Sequence, residues 1–225
     1  MSAGERLALF DLDGTLLSGD TDALWCDFLV AEGVLDGAVF APANRDVVDR
    51  YARGDIDAAT YCAFYAATLA GRTPLGWQAL RERFVAEVVA PRIPASAREL
   101  VAAHARAGET LVMTTATNRF LTEPIATLLG MGMLIATELE LESGVFTGRN
   151  TGVLNMREGK LARLRAWLAT GEWPVDALDQ SAFYSDSIND LPLLGAVGRP
   201  VVVDPDPHLR AEAARRGWPV IELER

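Results

Sequence analysis

Four short apolar runs along the chain each stop at a polar or acidic residue. Leu7-Ala8-Leu9-Phe10 stops at Asp11, and Thr110-Leu111-Val112-Met113 runs into Thr114-Thr115-Ala116-Thr117-Asn118. Ser181-Ala182-Phe183-Tyr184 runs into Ser185-Asp186-Ser187, and Pro200-Val201-Val202-Val203 stops at Asp204. Apolar runs of this kind suit strands buried on both faces, and a parallel sheet built from them carries its sites at the carboxyl ends. Helical spacing fills the intervals. Leu161, Leu164, Trp167 and Leu168 form one stripe within 159–170. Ser96 and Glu99 have capping-box spacing and predict a helix ending at Gly108. Ser143-Gly144, between Glu138-Leu139-Glu140-Leu141 and Val145-Phe146-Thr147, predicts a hairpin turn. Strands alternating with helices predict an α/β doubly wound domain with a parallel sheet.

Residues 19–92 break this pattern. They have almost no strand signal and are dense in Ala, Leu, Phe, Tyr and acidic residues. Helical stripes fall at 23–31, 43–51, 58–69 and 77–88, separated by Gly54-Asp55 and by the Gly- and Pro-bearing stretch 71–76. The expected organisation is an α/β core of residues 1–18 and 93–225 with a helical insert of residues 19–92.

Composition narrows the function. Half of the 225 residues are hydrophobic and 23% are charged, which suits a globular protein with one good core and a smaller second unit. The 21 Lys and Arg against 31 Asp and Glu give a net charge of −10, and no long basic run occurs. Such a chain repels phosphate backbones and anionic lipid, so neither nucleic acid nor a membrane surface is an expected partner. The first apolar run is too short for a secretory leader. Cys26 and Cys62 lack metal or redox spacing and read as buried free thiols in a cytoplasmic protein. His104 and His208, in Ala-, Glu- and Arg-rich surroundings, read as surface residues. With no GxSxG or HExxH, Ser-His-Asp and zinc hydrolysis lose their main residues.

The chemistry concentrates at Asp11-Leu12-Asp13-Gly14-Thr15-Leu16. Side chains two apart on an extended chain share a face, so both carboxylates can address one site. Two such charges ~4 Å apart repel by roughly 4 kcal/mol at a dielectric of ~20, which calls for a cation, and hard oxygen ligands favour magnesium. Alone, an acid-x-acid-Gly turn is a weak signal. Here a Thr-bearing loop follows a second strand, Lys160 comes later, and Ser185-Asp186-Ser187-Ile188-Asn189-Asp190 follows a third. These four elements in this order resemble the haloacid dehalogenase superfamily, and the helical insert resembles the cap of its phosphoserine-phosphatase-like branch.

The resemblance implies a sheet of strand order 5-4-1-2-3 and hydrolysis of a small phosphate ester through an aspartyl-phosphate, with magnesium bound. It implies Asp11 as nucleophile, Asp13 as general acid and base with its carbonyl on the metal, and Thr115 (or Thr114, one register away) on the phosphoryl oxygens. Lys160, the chain's only lysine, pairs with the phosphoryl group and Asp11. Asp186 binds magnesium, Asp190 supports that shell, and Asn189 and Ala116 lie beside the phosphate. An Asp at position 13 points to turnover by water, unlike the dehalogenases and P-type ATPases of this fold. A sugar phosphomutase stays open as an alternative. A phospho-Asp signalling receiver is shorter and phosphorylated mid-chain.

For the substrate, the position matching the cap Glu of phosphoserine phosphatases holds Asp20, and the one matching their cap Arg holds Tyr65. Losing that Arg leaves a substrate carboxylate without its bidentate partner. The expected substrate is therefore an amino-alcohol phosphate without a carboxylate, histidinol phosphate first and phosphoethanolamine or phosphocholine next. Asp20 would meet the ammonium, and Trp25, Tyr65 and Phe28 would pack on the rest. Phosphoserine is the competing substrate.

Overall fold

A computed structural model describes residues 6–171, 173–174 and 176–224. The chain opens with β1 (Leu7–Phe10), then passes through α1 (Thr21–Ala31), α2 (Gly37–Arg53), α3 (Ala58–Ala67) and α4 (Pro74–Phe84), which continues as a π-helical turn, Val85–Val89. There follow α5 (Ala95–Arg106), β2 (Thr110–Asn118), α6 (Arg119–Leu128), the hairpin β3 (Met133–Glu142) and β4 (Val145–Thr151), and α7 (Glu158–Leu168). The chain ends with α8 (Ala177–Gln180), β5 (Ala182–Ser185), α9 (Leu191–Leu194), β6 (Arg199–Val203), α10 (Pro207–Arg216) and β7 (Val220–Ile221).

One sheet of order β4-β3-β2-β1-β5-β6-β7 results, parallel throughout except for the β3–β4 hairpin. Its five central strands follow the expected 5-4-1-2-3. The sheet differs in detail, because β4 and the short β7 add a strand at each edge. Ser143 and Gly144 turn the hairpin with φ of 51° and 79°, the left-handed pair that matches strand twist. The apolar run of β1 is explained by burial on both faces. Ala8 and Phe10 pack with Ala97, Val101, Phe120 and Ile125, while Leu7 and Leu9 pack with Leu164, Leu193 and Leu209. Each fully buried Leu or Phe contributes about 1.5–3 kcal/mol.

Helices α1 to α4 start on side-chain caps. Asp20, Asp36, Asp57 and Thr73 each accept a backbone N–H two or three residues on. Trp25, Phe28, Trp77 and Phe84 form an aromatic cluster continuous with one face of the sheet, whereas Cys26, Ile56, Tyr61, Cys62 and Tyr65 form a separate cluster. Both cysteines are buried and unpaired. Among the described residues no helix is long and apolar enough to cross a membrane.

Two sequence readings are corrected here. The Ser96–Glu99 box does not form. Helix α5 begins at Pro94 without a side-chain cap, Ser96 donates instead to the Glu224 carbonyl, and Glu99 pairs with Arg106. His104 is not a surface residue, since its ring contacts Glu109 and, at 2.8 Å, the Tyr184 hydroxyl, and it packs edge-on against Phe10. The rotation of α5 on the sheet decided that, not the composition around it. His208 is exposed, as expected.

Candidate active site

Strand β1 delivers Asp11 to its carboxyl end, where the Asp11 N–H donates to the Tyr184 carbonyl of β5 at 3.0 Å. The Asp11 carboxylate, 7% exposed, accepts from Lys160 Nζ at 2.9 Å. Lys160 sits on the first turn of α7, is 2% exposed, and also donates to Asp190 Oδ2 at 2.7 Å, which Ser185 Oγ bonds at the same distance. Burial works against the Lys160 charge, but the Asp11 and Asp190 carboxylates outweigh it and hold the ammonium above its usual range. Burial dominates at Asp11 and pushes it up to about 6 against the opposing pull of Lys160.

Asp13 is clamped on both oxygens. Oδ1 accepts from the N–H and hydroxyl of Thr21 at the start of α1, and Oδ2 accepts from Thr117 Oγ1 at 2.7 Å. Burial first, and the charge of Asp20 second, push its carboxyl up to about 7. Asp186 follows β5. Its Oδ1 accepts from Thr15 Oγ1 at 2.8 Å, and burial together with Asp11 raises it well above the carboxylate range. Gly14, with φ of 75°, makes room for it: a Cβ there would stand 2.1 Å from Asp186 Oδ2.

A cavity of about 440 Å³ joins these groups. It is lined by Asp11, Asp13, Asp20, Thr115, Ala116, Lys160, Asp186, Asn189 and Asp190, all of them read from the sequence. Of the two threonine registers, Thr115 faces the cavity. Thr114 is buried elsewhere, its Oγ1 taking the side-chain N–H of Asn155 at 3.0 Å.

Three expected substrate contacts are not brought there. Trp25 and Phe28 belong to the aromatic cluster with Trp77 and Phe84, and Tyr65 is 1% exposed with its hydroxyl on Asn44 Oδ1 at 2.8 Å. Asp20 lines the cavity, but both oxygens are engaged, one by the Ala23 N–H at 2.9 Å and one by the Tyr61 hydroxyl at 2.6 Å. The sequence reading missed Thr117, Tyr51, Tyr61, Met156 and Asp22, which all line the cavity. Thr117 had a signal, since it alternates with Thr115 along β2. Asp22, 5% exposed, is pushed well above the carboxylate range by burial and by Asp20 and Asp13.

Six aspartates and a single lysine line this cavity. That excess of buried negative charge suits a divalent cation. Among the described residues no three His, Cys, Asp or Glu side chains close into a metal cage. Magnesium does not need one, because it takes one or two carboxylates and completes its shell with water and substrate phosphate. Asp11 and Asp186, which both line the cavity, supply two carboxylates of that kind.

The family model for haloacid dehalogenase-like hydrolases matches residues 8–195. A histidinol-phosphatase of Neisseria meningitidis is 37% identical over 221 residues, covering 98% of this chain and 100% of that protein. A phosphoserine phosphatase of Mycobacterium tuberculosis is 33% identical over 218 residues, covering 95% of this chain and 69% of its own length. Among solved structures, a protein of unknown function from Bordetella pertussis superposes with a TM-score of 0.92 at 43% identity, covering 97% of this chain and 98% of that one. A substrate-bound phosphoserine phosphatase superposes at 0.69 with 16% identity, covering 98% and 93%, a likeness of fold alone.

Proposed function

Because the chain belongs to the haloacid dehalogenase-like hydrolase family and is a phosphatase, we propose that it hydrolyses a small cationic phosphomonoester through an aspartyl-phosphate on Asp11. The observation that carries this reading is the buried pair Lys160–Asp11 beside an Asp13 clamped by Thr21 and Thr117 in one cavity. An Asp11 oxygen attacks phosphorus, and the bond from phosphorus to the leaving oxygen breaks. Asp13 gives its proton to that oxygen. It then takes a proton from the water that attacks the acyl phosphate, freeing inorganic phosphate and restoring the Asp11 carboxylate and the protonated Asp13. A carboxyl whose burial lifts it to about 7 suits a group that alternately gives and takes a proton.

Lys160 holds the nucleophile in one orientation and meets charge on the phosphoryl oxygens together with Thr115. Magnesium, when bound, adds positive charge where the phosphoryl group becomes more negative. Asp11, Asp186 and the Asp13 carbonyl would hold it, and Asp190 would steady the shell through Lys160. The helices of residues 19–92 act as a cap over this centre.

Three observations favour an amino-alcohol phosphate over phosphoserine: six acidic side chains in the cavity, no arginine lining it among the described residues, and the full-length likeness to a protein named histidinol-phosphatase. Histidinol phosphate is the first candidate. The test is phosphate release from histidinol phosphate, phosphoethanolamine and phosphoserine, with magnesium and with excess chelator. We expect kcat/KM to be highest for histidinol phosphate, and activity to vanish in chelator. Magnesium alone should also raise the melting temperature, because it binds only the folded state. Full turnover in chelator, or a preference for phosphoserine, overturns the reading.

A further inference from the structure

Two cavity residues have no role in the chemistry above. Tyr51 of α2 and Tyr61 of α3 both line the cavity, with ring centroids 4.4 Å apart and planes tilted by 35°. Their hydroxyls are committed in different directions. Tyr61 donates to Asp20, on the loop after β1, at 2.6 Å. The Tyr51 oxygen accepts from Asn189 Nδ2 at 3.0 Å, and Arg157 Nε donates to Asn189 Oδ1 at 3.1 Å. Burial pushes the Tyr51 phenol up to about 12, so the hydroxyl stays neutral at working pH.

These contacts run from the loop after β1, across α3 and α2, to the loop after β5 and the start of α7. Tyr51 is where the helical unit meets Asn189 and, through it, Arg157 at the N-terminus of the helix that carries Lys160. Arg157, on the far side of Asn189, has φ 52° and ψ −127°, a conformation few non-glycine residues adopt. The same cavity holds the carboxylates of Asp20 and Asp22. A flat cation resting on a tyrosine face gains from the ring quadrupole and from nearby carboxylates together. A neutral alkyl group gains from neither.

We propose that Tyr51 determines the leaving-group specificity of this site: its ring, braced by Tyr61, is the face for a planar cationic leaving group, and its hydroxyl ties the helical unit to Asn189 over the reacting end. This rests on the cationic-ester reading above. It also replaces Trp25 and Tyr65, which the structure buries elsewhere.

The test compares kcat and KM for histidinol phosphate and glycerol 3-phosphate in the wild type, Tyr51→Phe and Tyr51→Leu, with magnesium present. The wild type should prefer histidinol phosphate by at least about tenfold in kcat/KM. Tyr51→Phe keeps the ring and loses the tie, so both substrates fall by about three- to tenfold with their ratio held within about twofold. Tyr51→Leu loses both, and the ratio itself drops by about tenfold, chiefly through KM for histidinol phosphate.

An unchanged ratio in Tyr51→Leu overturns the assignment and leaves the cationic-ester reading standing. A wild type without the preference overturns both. Should the leucine variant lose its cooperative melt, Tyr51→Met, which also lacks the ring, takes its place with the same expected drop in ratio, and full wild-type kcat/KM on both substrates in Tyr51→Phe refutes the tie.

Discussion

Asp11 and Lys160 form a buried ion pair whose second acid, Asp190, shares the same ammonium. An arrangement like this is weak support for stability, because desolvating the charges offsets much of their attraction. Its value is orientation: Lys160 Nζ, 2.9 Å from Asp11 Oδ1, fixes which Asp11 oxygen is occupied. Asp11→Asn should therefore leave the fold intact, since the amide has nearly the same shape and Lys160 keeps Asp190. Turnover should fall by about 10⁴- to 10⁶-fold, the scale of losing a nucleophile. Phosphate release beside a thermal melt checks it, and a variant keeping more than a few per cent of activity would contradict a covalent step on Asp11.

Helix α7 reaches the site because the segment before it is pinned to the sheet. Asn155, fully buried, sends its side-chain N–H groups to Thr114 Oγ1, the Thr115 carbonyl of β2 and the Ile135 carbonyl of β3, at 2.9–3.0 Å. Its backbone N–H donates to Thr137 Oγ1 at 3.1 Å. One side chain thus joins two strands to the loop that delivers Lys160. Asn155→Ala leaves these buried acceptors short of a donor, and the expected loss is about 1–3 kcal/mol in urea unfolding. It should also lower kcat more than it raises KM, because Lys160 loses its placement while the cavity wall of α2 and α3 stays. Unchanged urea stability would rule out the pin.

Across the whole molecule, a second ionic network, centred on the buried Glu109, sits at the other end of the β1–β2 pair from Asp11. Glu109, just before β2, accepts from Arg199 of β6 at 2.8 Å and from His104 of α5, and Arg6 approaches at 3.9 Å. Burial alone would raise the Glu109 carboxyl, but the hydrogen bonds from Arg199 and His104 prevail and hold it below its ordinary value of 4.5. A carboxyl depressed in the folded state stabilises it above the unfolded value, and that contribution fades as pH falls through the folded one. Glu109→Gln should cost about 1.5–3 kcal/mol at pH 7. The gap to wild type should narrow as pH drops below about 4.5. Melting curves from pH 3 to 7 test this, and a gap that stays constant with pH would exclude an ionised Glu109 as the cause.

The family resemblance implied the central strand order, and the apolar runs by themselves determined the strands and their polar or acidic ends. Those signals are local: an unbroken apolar run needs burial on both faces, and the residue ending it emerges at the sheet's edge. Asp11, Asp13, Thr115 (with Thr114 open beside it), Lys160, Asp186, Asn189 and Asp190 were legible only as a joint pattern in a fixed order, and the structure gathers the seven around one cavity. The helices of residues 19–92 gave no such guidance. Tyr61 and Tyr65 lie one turn apart on the same face of α3, so periodicity treats them alike, yet one reaches Asp20 in the cavity and the other Asn44 in the packing between helices. Trp25 and His104 were misjudged for the same reason. Which side of a helix meets the site, and which meets its neighbours, depends on how the helix is rotated and docked, and only the packing of the whole chain sets that.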